Sequence, residues 1–280
     1  MIIDEAESAE SSHPVVSVIL PVNKKNPFLD EAINSILSQT FSSFEIIIVA
    51  NCCTDDFYNE LKHKVNDKIK LIRTDIAYLP YSLNKAIDLS NGEFIARMDS
   101  DDISHPDRFT KQVDFLKNNP YVDVVGTNAI FIDDKGREIN KTKLPEENLD
   151  IVKNLPYKCC IVHPSVMFRK KVIASMGGYM FSNYSEDYEL WNRLSLAKIK
   201  FQNLPGYLFY YRLHEGQSTA KKNLYMVMVN DLVIKMKCFF LTGNINYLFG
   251  GIRTIASFIY CKYIKLDIDC ENNKCRYSLL

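Results

Sequence analysis

Short apolar runs rich in β-branched residues alternate with helix-like segments along the first half of the chain, and this alternation constrains the fold most. The runs predict strands at Val15–Val22, Phe44–Ala50, Ile69–Arg73, Glu93–Met98 and Val122–Ile132. The segments between them predict helices at Pro27–Gln39, from Asp55 or Asp56 to Lys64, at Tyr81–Leu89 and at Pro106–Leu116. This order predicts an α/β fold with a mainly parallel sheet flanked by helices, in which ligands bind at the carboxyl ends of strands.

The rest of the chain is less regular and suggests how the domains are divided. It predicts a strand at Val162–Phe168, a helix at Asp187–Leu196 and a strand pair at Lys200–Phe201 and Tyr207–Arg212. We expect a disordered acidic lead-in at 1–13, one domain at 14–220 with halves at 14–132 and 133–220, and a helical extension at 221–280.

The extension contains an amphipathic pattern and an excess of basic residues. Apolar residues recur at helical spacing, at Ile252, Ile255, Ala256, Ile259, Tyr260, Tyr263 and Ile264. Arg253, Lys262 and Lys265 lie off this stripe. Two interpretations stay open: residues 246–265 dock on a membrane surface, or the helix packs on its own domain or on a partner subunit.

The overall composition excludes some classes of protein. The 280 residues carry 34 Lys and Arg against 34 Asp and Glu, so a nucleic-acid partner is not expected. The eight cysteines include two adjacent pairs and no C-x-x-C, which indicates free thiols in a reducing compartment. The chain has no run of 18 apolar residues and no secretory signal at its first residues, so a cytoplasmic location is expected.

An acidic loop, Asp99-Ser100-Asp101-Asp102, directly follows the predicted strand Glu93–Met98. Three carboxylates so close repel one another unless a cation or hydrogen-bond donors neutralise them. A divalent ion held together with substrate phosphates would do so, whereas a solvated turn that caps the next helix is the alternative. The chain contains neither G-x-G-x-x-G nor G-x-x-x-x-G-K-[ST], which disfavours a dinucleotide dehydrogenase or a P-loop enzyme.

Several motifs in a fixed order resemble the family 2 glycosyltransferases. They are Pro21-Val22-Asn23, the strand FEIIIVA with Asn51-Cys52-Cys53-Thr54-Asp55, the acidic loop in ARMDSDD, His163-Pro164-Ser165, Gly177-Gly178-Tyr179, Ser185-Glu186-Asp187 and Tyr211-Arg212-Leu213-His214. The resemblance covers about 15–214 and implies a GT-A fold. It also implies inverting transfer of a sugar from a nucleotide diphosphate donor to an acceptor hydroxyl.

The resemblance also implies roles for residues on the donor side. Pro21, Val22, Asn23, Asn51 and Asp55 are expected at the base and ribose of the donor. Asp99 and Asp101 are expected at the donor sugar and at a Mn²⁺ or Mg²⁺ ion, with Asp101 the more direct ligand, and Ser100 is expected at the donor. The family usually has an Asp pair where this chain has Ala50-Asn51. Asn51 can hydrogen-bond a base edge without offering charge, so uridine is the expected base on weaker grounds.

Other residues near these motifs are candidates on chemical grounds. Arg212 suits a diphosphate, and Arg97 either contacts the donor or neutralises the acidic loop. His214 is either a third metal ligand or a surface histidine beside a turn. His163 and Trp191 are candidates for acceptor contact, with a structural role as the alternative for each.

The adjacent carboxylates Glu186 and Asp187 are the candidate catalytic base. An acceptor hydroxyl must lose its proton as it attacks an anomeric carbon, and we expect Asp187 to take it. The alternative is that both residues cap the helix that they begin.

The sequence therefore predicts a metal-dependent, inverting glycosyltransferase that acts on a bacterial surface polysaccharide or lipopolysaccharide intermediate. The lipid-linked or glycan acceptor would be met at the inner face of the cell membrane. A sugar-nucleotide nucleotidyltransferase and a catalytically silent nucleotide-sugar binding module are the alternatives.

Overall fold

The computed structural model describes residues 13–180, 184–214 and 223–264, which form one mixed sheet covered by helices on both faces. The strands are β1 Val16–Val22, β2 Phe44–Asn51, β3 Ile69–Thr74, β4 Phe94–Arg97, β5 Ile103–Ser104, β6 Val124–Ile132, β7 Glu138–Lys141, β8 Met167–Arg169 and β9 Phe201–Arg212. The helices are α1 Leu29–Leu37, α2 Asp55–Lys62, α3 Leu79–Leu89, α4 Arg108–Asn118, α5 Asn148–Asn154, α6 Lys170–Ser175, α7 Glu186–Leu196, α8 Leu224–Thr242 and α9 Asn246–Ile259.

The strand order is β3-β2-β1-β4-β8-β6-β9-β5, with β7 beside β6. Strands β3, β2, β1 and β4 are parallel, β8 runs antiparallel between β4 and β6, and β9 is parallel to β6. The parallel sheet predicted for the first half of the chain is therefore confirmed. Strand β2 is buried along its whole length, as its continuous apolar run requires of a strand covered on both faces.

Helices on the two faces of the sheet bury alternate residues of the central strands. Val18 packs in a cluster with α1, α2 and α4, whereas Ile19 packs in a second cluster with α3 and α5–α9. The carboxyl ends of the parallel strands β1, β2 and β4 lie at the same edge of the sheet, at Val22, Asn51 and Arg97, so the loops that follow them meet there.

Three predicted elements differ in the structure. The strand predicted at Val162–Phe168 is a 3₁₀ turn, His163–Ser165, followed by β8, because Pro164 cannot donate to a sheet ladder. The predicted strand pair is one continuous strand, β9, whose register shifts opposite Asn128, near Pro205 and Gly206. Helix α2 is capped by the Thr54 hydroxyl, which accepts from the Phe57 amide, and neither Asp55 nor Asp56 is its cap.

The apolar stripe of α9 faces solvent. Ile252 is 64% exposed, and Ile255, Ile259 and Tyr260 are exposed as well. The interpretation in which this stripe packs on its own domain is therefore wrong. The buried face of α9 consists of Tyr247, Gly250 and Thr254. Gly250 lets the helix approach Pro156 closely, since a Cβ added to Gly250 would lie 1.8 Å from the Pro156 carbonyl oxygen.

Several expectations about the chain ends and the cysteines have partial outcomes. Apart from His13, the lead-in at 1–13 lies outside the described residues, as do Lys265 and the side chains of Tyr263 and Ile264. Cys52, Cys53, Cys159, Cys160 and Cys238 carry free thiols, as expected. The expectation is wrong for Cys261, which is disulfide-bonded. A π-helical turn, Tyr260–Ile264, follows α9.

None of the helices in the described part of the chain has both the length and the apolar content that crossing a membrane requires.

Candidate active site

The acidic loop after β4 brings Asp99, Asp101 and Asp102 together. One carboxylate oxygen from each lies within 4.8 Å of the other two. Asp102 is buried, and its Oδ1 accepts from the Arg212 amide at 2.8 Å. Its Oδ2 has no hydrogen-bond partner among the described residues. Burial, reinforced by the charges of Asp101 and Asp99, raises the pKa of Asp102 well above its usual range.

These features fit a hard divalent cation. A buried carboxylate oxygen without a partner is costly, and three converging carboxylates supply the oxygen donors that Mn²⁺ and Mg²⁺ prefer. The alternative, a turn that caps the next helix, is not what the structure shows. Helix α4 begins after Asp107, and no side chain of the acidic loop caps it.

The carboxyl end of β9 closes over the acidic loop. The Nε2 atom of His214 lies 2.8 Å from Oδ2 of Asp101, so the predicted candidate metal ligand is beside the loop. The Arg212 side chain is 2% exposed, and its Nε donates to the Asp101 carbonyl at 2.9 Å. Its Nη2 also pairs with Glu31 of α1. Arg212 thus braces the backbone of the loop, while the Asn26 amide donates to the Ser100 hydroxyl at 3.0 Å.

Arg97, the last residue of β4, lies buried beside the loop. Its side chain is 2% exposed, and its Nη2 pairs with Oδ1 of Asp99 at 2.7 Å. Burial raises the pKa of Asp99 even so, because the attraction of Arg97 only partly offsets it. The Nε and Nη1 atoms of Arg97 have no hydrogen-bond partner in the described part of the chain. The field of Arg97 also reaches Glu186, which connects the acidic loop electrostatically to α7.

A second group of carboxylates, Glu186 and Asp187, begins α7. Ser185, directly before them, has the left-handed φ of 70°, which is rare for a residue with a Cβ. Burial, together with the neighbouring charge of Asp187, raises the pKa of Glu186 to about 8. Burial raises the pKa of Asp187 to about 6, opposed by its hydrogen bond from the Tyr188 amide at 2.8 Å. That bond is the one capping feature of Asp187, and the Ser185 side chain does not cap the helix.

The candidate acceptor residues lie beneath this pair. The Nε2 atom of His163 lies 2.8 Å from the Tyr179 hydroxyl, and its Nδ1 lies 3.9 Å from Oε1 of Glu186. Burial, together with the charge of Arg97, holds the pKa of His163 well below its usual range. The Trp191 ring is fully buried between His163 and Phe201. That burial favours the packing interpretation of Trp191 over acceptor contact.

The predicted nucleotide-binding residues line the neighbouring strand ends. Pro21 and Val22 end β1 beside Val49 and Ala50 of β2, and Asn23 is exposed in the loop that follows. Asn51 is buried, and its Nδ2 donates to the Ser82 hydroxyl at 2.8 Å. Asp55 pairs with Arg73 at the surface. Cys52 between them has the left-handed φ of 49°.

The structure adds residues that sequence motifs did not indicate: Asn26, Glu31 and Asp231. It also gives a contact to Tyr179, which belongs to the Gly177-Gly178-Tyr179 motif but had no assigned role. The arrangement as a whole connects two groups of carboxylates, the acidic loop and the Glu186–Asp187 pair, through the charge of Arg97. It is suited to bind an anionic, metal-bound ligand on one side and to accept a proton on the other.

Comparisons with known proteins agree with this arrangement. Residues 17–175 match the family model described as Glycosyl transferase family 2. O-antigen biosynthesis glycosyltransferase WbnJ of Escherichia coli is 39% identical over 217 residues, which cover 75% of this chain and 84% of the relative. Amylovoran biosynthesis glycosyltransferase AmsE of Erwinia amylovora is 31% identical over 204 residues, with coverage of 71% and 76%.

Two solved structures share the fold at low identity. The S. aureus TarS 1-349 structure in complex with UDP-GlcNAc has a TM-score of 0.68 at 18% identity, covering 95% of this chain and 81% of that chain. The mannosyltransferase PcManGT from Pyrobaculum calidifontis, in complex with GDP-Man and Mn²⁺, has a TM-score of 0.61 at 14% identity, with coverage of 95% and 79%.

Proposed function

The chain belongs to glycosyl transferase family 2 and adopts the GT-A fold, and from that premise we propose that it is a metal-dependent, inverting sugar transferase. It would move a sugar from a nucleotide diphosphate to a hydroxyl of a surface polysaccharide or lipopolysaccharide intermediate. The observation that carries the proposal is the group of three converging carboxylates in the acidic loop, of which Asp99 pairs at 2.7 Å with Arg97, whose charge also acts on Glu186. The names of the Escherichia coli and Erwinia amylovora relatives support the class of acceptor.

The acidic loop would hold the cation. Asp99, Asp101 and Asp102 supply carboxylate oxygens, and His214 lies within reach through its contact with Asp101. A Mn²⁺ or Mg²⁺ ion bound there would offset the charge that develops on the leaving diphosphate. Arg212 and Asn26 keep the loop in place through its backbone and through Ser100.

Asp187 is the better candidate for the general base. A base must be ionised at the working pH and lie close to the proton that it accepts. With a pKa of about 6, Asp187 is mostly ionised near neutrality, whereas Glu186, with a pKa of about 8, is mostly protonated. As the acceptor oxygen bonds to the anomeric carbon, the bond from that carbon to the diphosphate breaks. The electron pair leaves with the diphosphate, and Asp187 takes the acceptor proton.

The donor base and ribose would bind at the ends of β1 and β2. We propose Pro21, Val22, Asn23, Asn51 and Asp55 for these contacts. Uridine remains the proposed base. The UDP-GlcNAc complex of the S. aureus neighbour supports it, and the GDP-Man complex of the Pyrobaculum calidifontis neighbour makes guanosine the comparison to test.

Release of the nucleotide diphosphate tests the function. The probes are UDP-glucose, UDP-galactose and their N-acetylated forms, with GDP-mannose for comparison, incubated with Mn²⁺ and a lipid-linked glycan extract of bacterial membranes. Release of UDP supports the proposal. Release of pyrophosphate would indicate a nucleotidyltransferase, and donor binding without turnover of any probe would indicate a silent binding module.

Two isosteric variants separate the candidate bases. Asp187→Asn is expected to lower single-turnover transfer by about a hundredfold or more while donor affinity is unchanged. Glu186→Gln is expected to lower it less. If Asp187→Asn transfers at the wild-type rate and Glu186→Gln is inactive, the assignment of the base is wrong. If both variants are fully active, the base lies elsewhere.

The cation has its own test. Asp101→Asn is expected to weaken donor binding in Mn²⁺, since it removes one carboxylate ligand from a site that needs hard oxygen donors. Calorimetry of UDP binding with Mn²⁺ and with a chelator measures this. Equal affinity of the wild type in both conditions would refute metal dependence.

The C-terminal helices suit a membrane surface. We propose residues 14–220 as the catalytic domain, with halves at 14–132 and 133–220, and 221–280 as an extension that docks on anionic lipid at the inner face of the cell membrane. Its exposed apolar side chains include Phe240, Leu241, Ile245, Phe249 and Ile252. Residues 221–280 carry nine basic and four acidic residues, which complements an anionic lipid surface.

Vesicle flotation tests the docking. The double variant Phe249→Ser with Ile252→Ser is expected to lose binding to phosphatidylglycerol vesicles, while Leu149→Ser, which alters an exposed leucine outside the extension, is the control. Wild-type protein that ignores these vesicles would refute the proposal. A concentration-dependent dimer that the double variant abolishes would instead assign the face to a second copy of the chain.

A further inference from the structure

The turn before the candidate base has an unfavourable backbone conformation that other residues must hold. Ser185 has a φ of 70°, although its side chain does not cap α7. A residue with a Cβ adopts this conformation only where surrounding contacts fix it. Because Ser185 directly precedes Glu186 and Asp187, its conformation sets the direction in which both carboxylates leave the turn.

Helix α8 supplies those contacts from far along the chain. The Ser185 hydroxyl donates to Oδ1 of Asp231 at 2.7 Å. The side-chain amide of the preceding α8 residue, Asn230, donates to the Tyr184 carbonyl at 2.7 Å. Two consecutive residues of α8 therefore hold the two consecutive residues that lead into the catalytic pair.

Helix α8 is itself firmly fixed. Lys235, one turn after Asp231, is 2% exposed, and its Nζ donates to the Thr254 hydroxyl of α9 at 2.6 Å. The same Nζ lies 5.1 Å from the centre of the Tyr188 ring in α7. One turn further along the same face of α7, the Tyr247 hydroxyl of α9 donates to the Asn192 amide oxygen at 2.9 Å. The helices of the extension thus form a rigid support for the start of α7.

We propose that Asp231 is a positioning residue for the reaction: its hydrogen bond to Ser185 holds the turn that aims Asp187 at the acceptor. The inference rests on the proposed function of Asp187. It makes the extension part of the active-site architecture, even though α8 supplies neither a metal ligand nor the base.

The charge of Asp231 predicts an effect on the pKa of Asp187 that a purely structural role would not produce. The charged and titratable groups that face Asp187 are Glu186 on its own helix, Asp231 on α8, Arg97 on β4, the Cys159 thiol and the Tyr179 hydroxyl. The negative charge of Asp231 adds to the effect of burial in raising the pKa of Asp187. Without that charge, the ionised form of Asp187 is favoured at lower pH.

Four variants, assayed in the full-length chain by single-turnover UDP release with Mn²⁺ and the same membrane extract, test the proposal. Asp231→Ala and Ser185→Ala remove the hydrogen bond and are expected to lower kcat about tenfold or more without changing donor affinity. Ser185→Gly, which tolerates the left-handed backbone but lacks the hydroxyl, is expected to lose activity as well. Asp231→Asn retains an acceptor oxygen and is expected to retain kcat, while the acid limb of its pH–rate profile moves to lower pH.

Lys237→Met is the matched control, since it removes a contact of 3.5 Å from α8 to Glu189 in the middle of α7. Its rate and pH profile are expected to be unchanged. Wild-type kcat in both alanine variants would overturn the proposal, as would an unshifted acid limb in Asp231→Asn. If Asp231→Ala does not fold, Ser185→Gly and Asp231→Asn still decide the question. Full activity of Asp187→Asn would instead refute the proposed base.

Discussion

Replacing Arg97 by Met removes the buried cation that lies between the two groups of carboxylates. Asp99 would keep its position beside the end of β4 but lose the ion pair of 2.7 Å that offsets its charge. Removing one partner of a buried pair typically costs about 3–5 kcal/mol of stability. Asp99 is 34% exposed and so retains some hydration, which places the expected loss at the low end of that range.

A second feature of Arg97 reduces the loss further. Its Nε and Nη1 atoms are buried without a hydrogen-bond partner among the described residues. An unsatisfied buried donor costs about 1–3 kcal/mol, so the apolar side chain recovers part of the loss. The net expectation is a destabilisation of about 2 kcal/mol, which corresponds to about a thirtyfold change in the folding equilibrium.

Urea unfolding at pH 7 and at pH 5, without divalent ions, measures the effect. The loss for Arg97→Met should shrink at pH 5, because burial already raises the pKa of Asp99 and the loss of Arg97 raises it further, so that less uncompensated charge remains at the lower pH. Arg108→Met is the control. Arg108 is also fully buried, but its Nη2 donates to the carbonyls of Arg97 and Val166, and it makes no ion pair with a carboxylate of the described residues. A loss below about 1 kcal/mol at pH 7, or one that is the same at both pH values, would refute this account of the ion pair.

Two further predictions concern stability. The pKa of Glu186 is about 8 in the fold against an ordinary 4.5, so the folded chain binds more protons between these values and the free energy of unfolding falls as pH rises across that window. Glu186→Gln should flatten this slope in metal-free urea titrations from pH 5 to 8, and an unchanged slope would contradict the assigned pKa. Gly250→Ala should cost about 1–3 kcal/mol, because its Cβ would lie 1.8 Å from the Pro156 carbonyl oxygen. Gly251→Ala, with Leu232 at 3.5 Å, is the matched control in thermal unfolding, and equal melting temperatures for the two variants would contradict the close packing of α9.

The sequence predicted the first half of the fold well because local signals were strong there. A strand such as β2 is buried on both faces, so its whole run is apolar and its register matters little to the prediction. The acidic loop was also identifiable, since three carboxylates together at the end of a buried strand favour a site for a cation. Elements shaped by a single residue were harder. Pro164 turns a predicted strand into a 3₁₀ turn, and the local pattern cannot show which residues the backbone leaves out of the sheet.

Contacts between distant residues could not be predicted. Arg212 pairs with Glu31, which precedes it by 181 residues. The position of Arg212 beside the acidic loop therefore depends on contacts that form only in the folded chain. The pattern of α9 showed an amphipathic helix but not which face packs. The structure buries the small and polar side, with Gly250 against Pro156 and Thr254 against Lys235, and leaves Ile252 in solvent. Hydrophobic periodicity identifies the apolar face of a helix, whereas the close approach of another backbone decides which face of the helix is buried.

The same reasoning applies to the two carboxylates at the start of α7, which are adjacent in sequence but unequal in environment. Glu186 is buried beside a neutral His163, and burial is the largest cause of its high pKa. Asp187 is only half-buried and accepts a hydrogen bond from the Tyr188 amide, which favours its ionised form. Two neighbouring acids whose pKa values are pushed apart divide the roles of proton holder and proton acceptor between them. On our proposal, this division follows from the turn at Ser185, which sets how the two carboxylates leave the start of α7. The hydrogen bond between Ser185 and Asp231 would then select which carboxylate acts as the base.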